Sequence, residues 1–215
     1  MDIGTRLSDL KLHVTPEAAR RYVAQWMVLM FGLAIFALSV VLQVRANVGL
    51  GPWDIFHVGV AQVSSLTLGQ VSILTGVVVI GVSYLIARIK PGPATVANML
   101  FIGLVIDIIY DYVPLMTVLP WKVVMFVGGM VLMGVATAVY IGAGLGAGPR
   151  DSLMIGVHQA TGRSVRVART MVEASVFVIG FLLCGKFGLG TLLFVVGIGP
   201  IVQFFITLLR VEVNA

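Results

Sequence analysis

Charge is what this chain has least of. Only 11% of its 215 residues are Asp, Glu, Lys or Arg, against about 25% in an ordinary soluble domain. The apolar share of 59% exceeds the roughly 45–50% of globular proteins. A soluble enzyme, a coiled coil and a disordered chain are thereby excluded. Cys184 is the one cysteine, so a disulfide scaffold is excluded too. There is no Walker-type glycine loop, which rules out ATP hydrolysis by this chain. No nucleophile–base constellation and no paired carboxylates at a defensible geometry emerge. The chain is therefore expected not to be an enzyme, and no cofactor is expected. No third His or Cys stands at ligand spacing, which argues against a metal site. A cleavable signal peptide is not expected either, because the first apolar run, starting near Trp26, is too long for a signal h-region of about 7–15 residues.

What is present is apolar sequence in runs of membrane length. The candidate spans are Trp26 to Val44, Val71 to Ala87, Ala94 to Val113, Val123 to Ile141, Val167 to Cys184 and Thr191 to Leu209. Residues 1–22 form a polar arm in which Thr15-Pro16-Glu17 reads as a helix start. Six spans place both termini on one side. If that side is the cytoplasm, the inner set is Arg6, Lys11, Arg20, Arg21, Arg88, Lys90, Arg150, Arg163, Arg166, Arg169 and Arg210, and the outer set is Arg45, Lys122 and Lys186. Eleven against three is a positive-inside bias. The net charge of +5 is thus explained by orientation in the lipid bilayer, and nucleic acid is not an expected partner. Both termini are expected on the cytoplasmic side.

The chain repeats itself. A shift of 97 residues lays Gly49-Leu50-Gly51-Pro52-Trp53-Asp54 on Gly146-Ala147-Gly148-Pro149-Arg150-Asp151, and the same shift aligns Gly32 with Gly129, Gly59 with Gly156 and Gln62 with Gln159. Dropping one residue aligns Thr95 with Thr191 and Gly103 with Gly199. The halves are residues 23–113 and 120–210. Each holds three spans, an odd number, so the second must enter the membrane inverted, the plan of many secondary transporters. The expected fold is an all-α membrane protein of six transmembrane helices in two inverted three-helix repeats. Duplication for stability alone is the alternative.

In each half the Gly-X-Gly-Pro-X-Asp turn precedes about ten residues, 53–63 and 150–159, too few for a span. They read as re-entrant or interfacial half-helices started by Pro52 and Pro149. Asp54 and Asp151 fall in the first turns, where the helix dipole favours an anion. They either cap their own helices or face a site between the halves. Trp53 opposite Arg150 would give a pore unequal ends; alternatively, Trp53 is an interfacial anchor and Arg150 an orienting cation. His57 and His158 sit on the half-helices, where either could relay protons.

Ionisable residues inside spans are functional candidates because each costs roughly 2.5–3.5 kcal/mol at the bilayer centre. Asp107 lies deep in the third span, with Asp111 on the same face. Arg169 and Glu173 are spaced to pair on one helix face. Asn98 and Gln203 add polar groups, Gln203 being the repeat equivalent of Asp107. Glycines within spans, such as Gly76, Gly81, Gly128, Gly129, Gly134, Gly197 and Gly199, are expected to bring helices close.

Together the two Gly-X-Gly-Pro-X-Asp turns, Arg166-X-X-Arg169-X-X-X-Glu173, Gly188-X-Gly-Thr191 and Gly197-X-Gly-Pro200 resemble the YczE/YyaS/YitT family of bacterial integral membrane proteins, over nearly all of residues 20–210. The resemblance implies a bacterial cytoplasmic-membrane protein and says more of architecture than of activity. The function expected from the residues is secondary transport or permeation of a small polar or charged solute, with a membrane accessory or scaffold protein as the alternative. A polar cavity reaching Asp54, Asp151, Asp107 and Glu173 would favour transport, and a dry, closed interface would favour the scaffold. A second copy of the chain is a candidate partner.

Overall fold

The computed structural model describes residues 15–146, 148–184 and 187–211. Residues 1–14 of the polar arm, Ala147 of the second turn and the outer cation Lys186 lie outside the described residues. All described regular structure is helical: α1 (Pro16–Ala46), α2 (Pro52–Val63), α3 (Leu68–Ala87), α4 (Pro93–Ile109) with a 3₁₀ turn at Tyr110–Tyr112, α5 (Leu119–Gly142), α6 (Pro149–Thr161), α7 (Val165–Cys184) and α8 (Leu189–Leu208). Five of these, namely α1, α3, α4 with its 3₁₀ turn, α5 and α8, are long and apolar enough to cross a membrane. The 20-residue α7 is as long as α3 but carries Arg166, Arg169 and Glu173.

Local chemistry sets the boundaries. Thr15 caps α1 by accepting from the Ala18 N–H at 3.3 Å, with Pro16 in the first turn. From there α1 runs unbroken for 31 residues, about 46 Å at the helical rise. Residues 16–22, assigned to the arm on sequence, are thus the first two turns of α1. A 30 Å hydrocarbon core cannot cover the whole helix, so its Arg20 and Arg21 end projects beyond. Asn47 ends α1 in the left-handed conformation at φ 52°. Pro93 begins α4 after the Gly92 cap, as the Pro91-Gly92-Pro93 hairpin requires. α8 continues through Pro200 to Leu208.

The centre of the bundle is the crossing of α1 with α5, the most extensive helix pair. Glycine makes that contact close. A Cβ on Gly32 would lie 2.9 Å from the Tyr140 backbone nitrogen, and one on Gly129 would lie 2.8 Å from Gln43 Cγ. The 97-residue shift carries Gly32 onto Gly129 and Gln43 onto Tyr140, so one contact is made twice with the halves exchanged. Other pairings recur likewise: α2 packs on α7 as α6 packs on α3, and α1 on α4 as α5 on α8. One pairing does not. α3 packs on α4, where a Cβ on Gly69 would sit 2.0 Å from the Gly103 oxygen, whereas α7 and α8 scarcely touch. Gly199, the equivalent of Gly103, has open space around it.

Gly81 and Gly128 also face open space and bring no helices together, contrary to the expectation for glycines in spans, while Gly76, Gly129 and Gly134 do lie at helix contacts. Gly32→Ala and Gly129→Ala should each lower stability by about 1–3 kcal/mol through overpacking, while Gly128→Ala should be neutral. Thermal unfolding in detergent measures all three, and equal losses would mean that α1 and α5 can part without cost.

Candidate functional site

The half-helices are α2 and α6, each extending slightly beyond its expected bounds. Their first turns meet. Arg150 Cζ lies 4.8 Å from the centre of the Trp53 ring, a cation–π contact between two positions that the repeat makes equivalent. Trp53 is 7% exposed and is packed with Val79 and Val172. The sequence expectation of an aromatic at one mouth and a cation at the other is therefore corrected, because the two side chains form a single stack. Nor is Trp53 an interfacial anchor. Removing Arg150 from the loop cations leaves ten against three in the orientation count.

Beside this stack is a cavity of about 390 Å³, at the lower end of the range of small-molecule sites. Polar groups come to it from seven helices, α2 to α8, among them Trp53, Asp54 and His57 on α2, Asn98 on α4, Arg150 and Asp151 on α6, Arg169 and Glu173 on α7, and Gln203 on α8. Phe36, Met133, Tyr140 and Phe194 supply apolar wall. Several polar atoms lack partners. Trp53 Nε1, Asp54 Oδ1 and His57 Nε2 are buried without a hydrogen bond, and Asp54 and His57 are each 3% exposed. Arg150 makes no ion pair within 4.0 Å and no side-chain hydrogen bond among the described residues; it stacks on Trp53 and meets the charges of Asp54, Asp151 and Glu173 only through space. Buried polar groups are ordinarily satisfied, so such a cluster signals something that binds there.

The twin aspartates behave differently. Asp151 Oδ2 accepts from the Gly148 N–H at 3.2 Å and so caps α6. Asp54 makes no such bond, and α2 has no side-chain cap. The capping alternative therefore holds for one Asp only.

A family of unknown function, DUF6198, matches residues 23–207. "Uncharacterized membrane protein YczE" of Bacillus subtilis is 36% identical over 183 residues, covering 85% of each chain. An uncharacterised protein of Haemophilus influenzae is 33% identical over 206 residues, 93% of this chain and 94% of its own. "Uncharacterized protein YyaS" of Bacillus subtilis is 27% identical over 183 residues, 83% of this chain and 90% of its own. The chain belongs to the YczE-like family. It is a membrane protein with several apolar helices long enough to span, and the YczE relative is named a membrane protein. No solved structure matches it.

Three of the residues singled out on sequence, Asp107, Asp111 and His158, stand apart from the cavity in this YczE-like chain. Asp107 is near the end of α4, where its carboxylate accepts from the Thr67 hydroxyl at 2.5 Å and the Gly69 N–H at 2.8 Å. It fastens the start of α3 and is neither deep nor free. Asp111 binds Arg45 at 3.0 Å, so the two carboxylates serve different helices. The equivalence of Asp107 to Gln203 does not extend to a common role, since Gln203 lines the cavity and donates to Thr207 at 3.3 Å. His158, near the end of α6, bonds through Nδ1 to the Arg163 carbonyl at 2.5 Å. Sequence reasoning passed over Tyr140 and Gln43, whose Oε1 is also buried and unpartnered. The 97-residue shift pairs these two positions, and that was the available signal.

Arg169 Nε donates to Glu173 Oε1 at 2.9 Å, as the spacing requires. The side chains are 57% and 32% exposed, so the pair sits at the cavity's open edge and not in a sealed, low-dielectric interior. Glu173→Gln should therefore cost about 1 kcal/mol or less, the range of solvated pairs, where a buried pair would lose roughly 3–5. Thermal unfolding decides between them. A loss of 3 kcal/mol, restored by adding Arg169→Gln, would show that water does not reach the pair.

Proposed function

We propose that this chain is a secondary transporter or permeation protein for a small polar or charged solute, with its site in the cavity between the halves. The observation that carries this reading is the convergence on one cavity of Asp54, His57 and Trp53, all buried with unpartnered polar atoms, beside the unpaired Arg150 guanidinium. A scaffold protein gains nothing from such groups, and a closed, dry junction would have served it better. The cavity reaches Asp54, Asp151 and Glu173 and misses Asp107, which is occupied in capping.

The architecture proposed with it is six spans, α7 being the sixth, in two repeats inverted about an axis in the membrane plane. The exchanged contacts of Gly32 with Tyr140 and Gly129 with Gln43 support a two-fold relation. Three spans per repeat put that axis in the plane. α2 and α6 are then half-helices whose first turns meet inside the bilayer, since 12 or 13 residues rise only about 18–20 Å. Irregular backbone at that depth is tolerated only where protein or cavity water covers it. The charge bias supports both termini on the cytoplasmic side, and the bacterial relatives support a bacterial cytoplasmic membrane.

Two experiments test this. A thermal-shift screen of small polar and charged solutes on purified protein should find at least one stabilising solute, and Thr137→Trp, which fills the cavity, should abolish its effect. Stabilisation unchanged in that variant would move the site elsewhere. For topology, cysteines introduced at 53 and 64 in a Cys184→Ser background should not label from opposite faces of the membrane. If they do, α2 is a true span and the inverted plan fails.

A further inference from the structure

We propose that Asp54 is the exchange group of the cavity, holding in turn a proton and the charged head of a small organic monocation. The proposal rests on the reading of the cavity as a solute site and adds the class of solute and the means of coupling.

A carboxylate 3% exposed with an unpartnered oxygen cannot remain bare. Taken out of water, it must bind a proton or face a cation. Its repeat twin shows what a structural role looks like, since Asp151 turns back to the Gly148 N–H. Asp54 leaves the corresponding Gly51 end of α2 uncapped. No cation of the protein forms an ion pair with it. Arg169 is bound to Glu173, and Arg150, stacked on Trp53, acts on Asp54 through space but has no carboxylate oxygen within 4.0 Å among the described residues.

The charged and titratable groups facing the cavity with Asp54 are His57 on its own helix, Tyr140 on α5, Arg150 and Asp151 on α6, and the Arg169–Glu173 pair on α7. With His57 neutral, three carboxylates stand against two guanidinium groups. One further positive charge balances them, and a proton or a monocation supplies it equally well. An anion drawn to Arg150 would have to approach three carboxylates, which disfavours it. The body of an organic cation would lie against Tyr140, Phe194 and Phe36, whose ring faces suit positive charge. Because one carboxylate serves both, the proton leaves Asp54 as the cation arrives and returns as it departs. Neither bond can persist with the other, and that exclusion is what couples solute movement to a proton gradient.

The test is titration calorimetry of the purified protein with tetraethylammonium and benzamidinium, and with benzoate as an anion of similar size, between pH 6 and pH 8.5. Running each titration in two buffers of different ionisation heat counts the protons. At least one cation should bind with release of about one proton. Its Kd should rise by up to about tenfold per pH unit on acidification, the limit for one linked proton. Asp54→Asn should lose both binding and release, and Asp111→Asn, outside the cavity on the exposed Arg45 pair, should keep them. Cation binding without proton release overturns the proposal in the wild-type protein alone, so the outcome does not depend on whether Asp54→Asn folds. Binding of benzoate and of neither cation overturns it too, but leaves the solute site intact. If no probe binds and the thermal-shift screen is also silent, both readings fail.

Discussion

Everything in this molecule depends on breaking two helices inside a bundle without leaving their backbone groups unsatisfied. A buried N–H or carbonyl without a partner costs as much as a lost hydrogen bond, and lipid offers none. At the first break the solution is visible atom by atom. The Val48 carbonyl accepts from the Gly190 N–H at 2.9 Å, and the Leu50 N–H donates to the Thr191 hydroxyl at 3.1 Å. The start of α8 thus serves as a splint for the end of α1. Gly49, at φ 138°, is also so near α8 that a Cβ would lie 2.4 Å from the Thr191 nitrogen. Two separate requirements, backbone angle and clearance, converge on that one glycine.

Once the breaks are secured, the half-helices can bring their first turns together, and the asymmetry of the twin motifs acquires meaning. Had both halves kept Trp or both kept Arg at this position, the stack of Arg150 on Trp53 could not form. The difference of one residue between the two motifs is what permits a contact between them. Divergence in partner choice did the rest, by settling Asp151 into a cap and leaving Asp54 exposed to the cavity alone.

The helical composition and the two short helices after the glycine turns were legible in the sequence because each is signalled locally, by apolar runs and by Pro after Gly. Membership of the cavity was legible for residues whose position near a break or inside a charged span left few other uses, such as Asp54 and Glu173. Asp107 misled because the helix start it caps is about 40 residues earlier, and no local pattern reports a partner at that distance. Trp53 and Arg150 misled for the opposite reason. Their equivalence suggested opposite ends of the molecule, whereas positions related by a two-fold axis can also meet on that axis. Only the packing of α2 on α7 and of α6 on α3 shows which of the two occurs.

The seam between α7 and α8 has no counterpart to the tight glycine contact that joins α3 to α4, and the exposed Gly199 and Gln203 stand along it. The cavity that Glu173 and Gln203 line is therefore held least firmly on this flank, where the two helices can part or close without breaking a glycine contact.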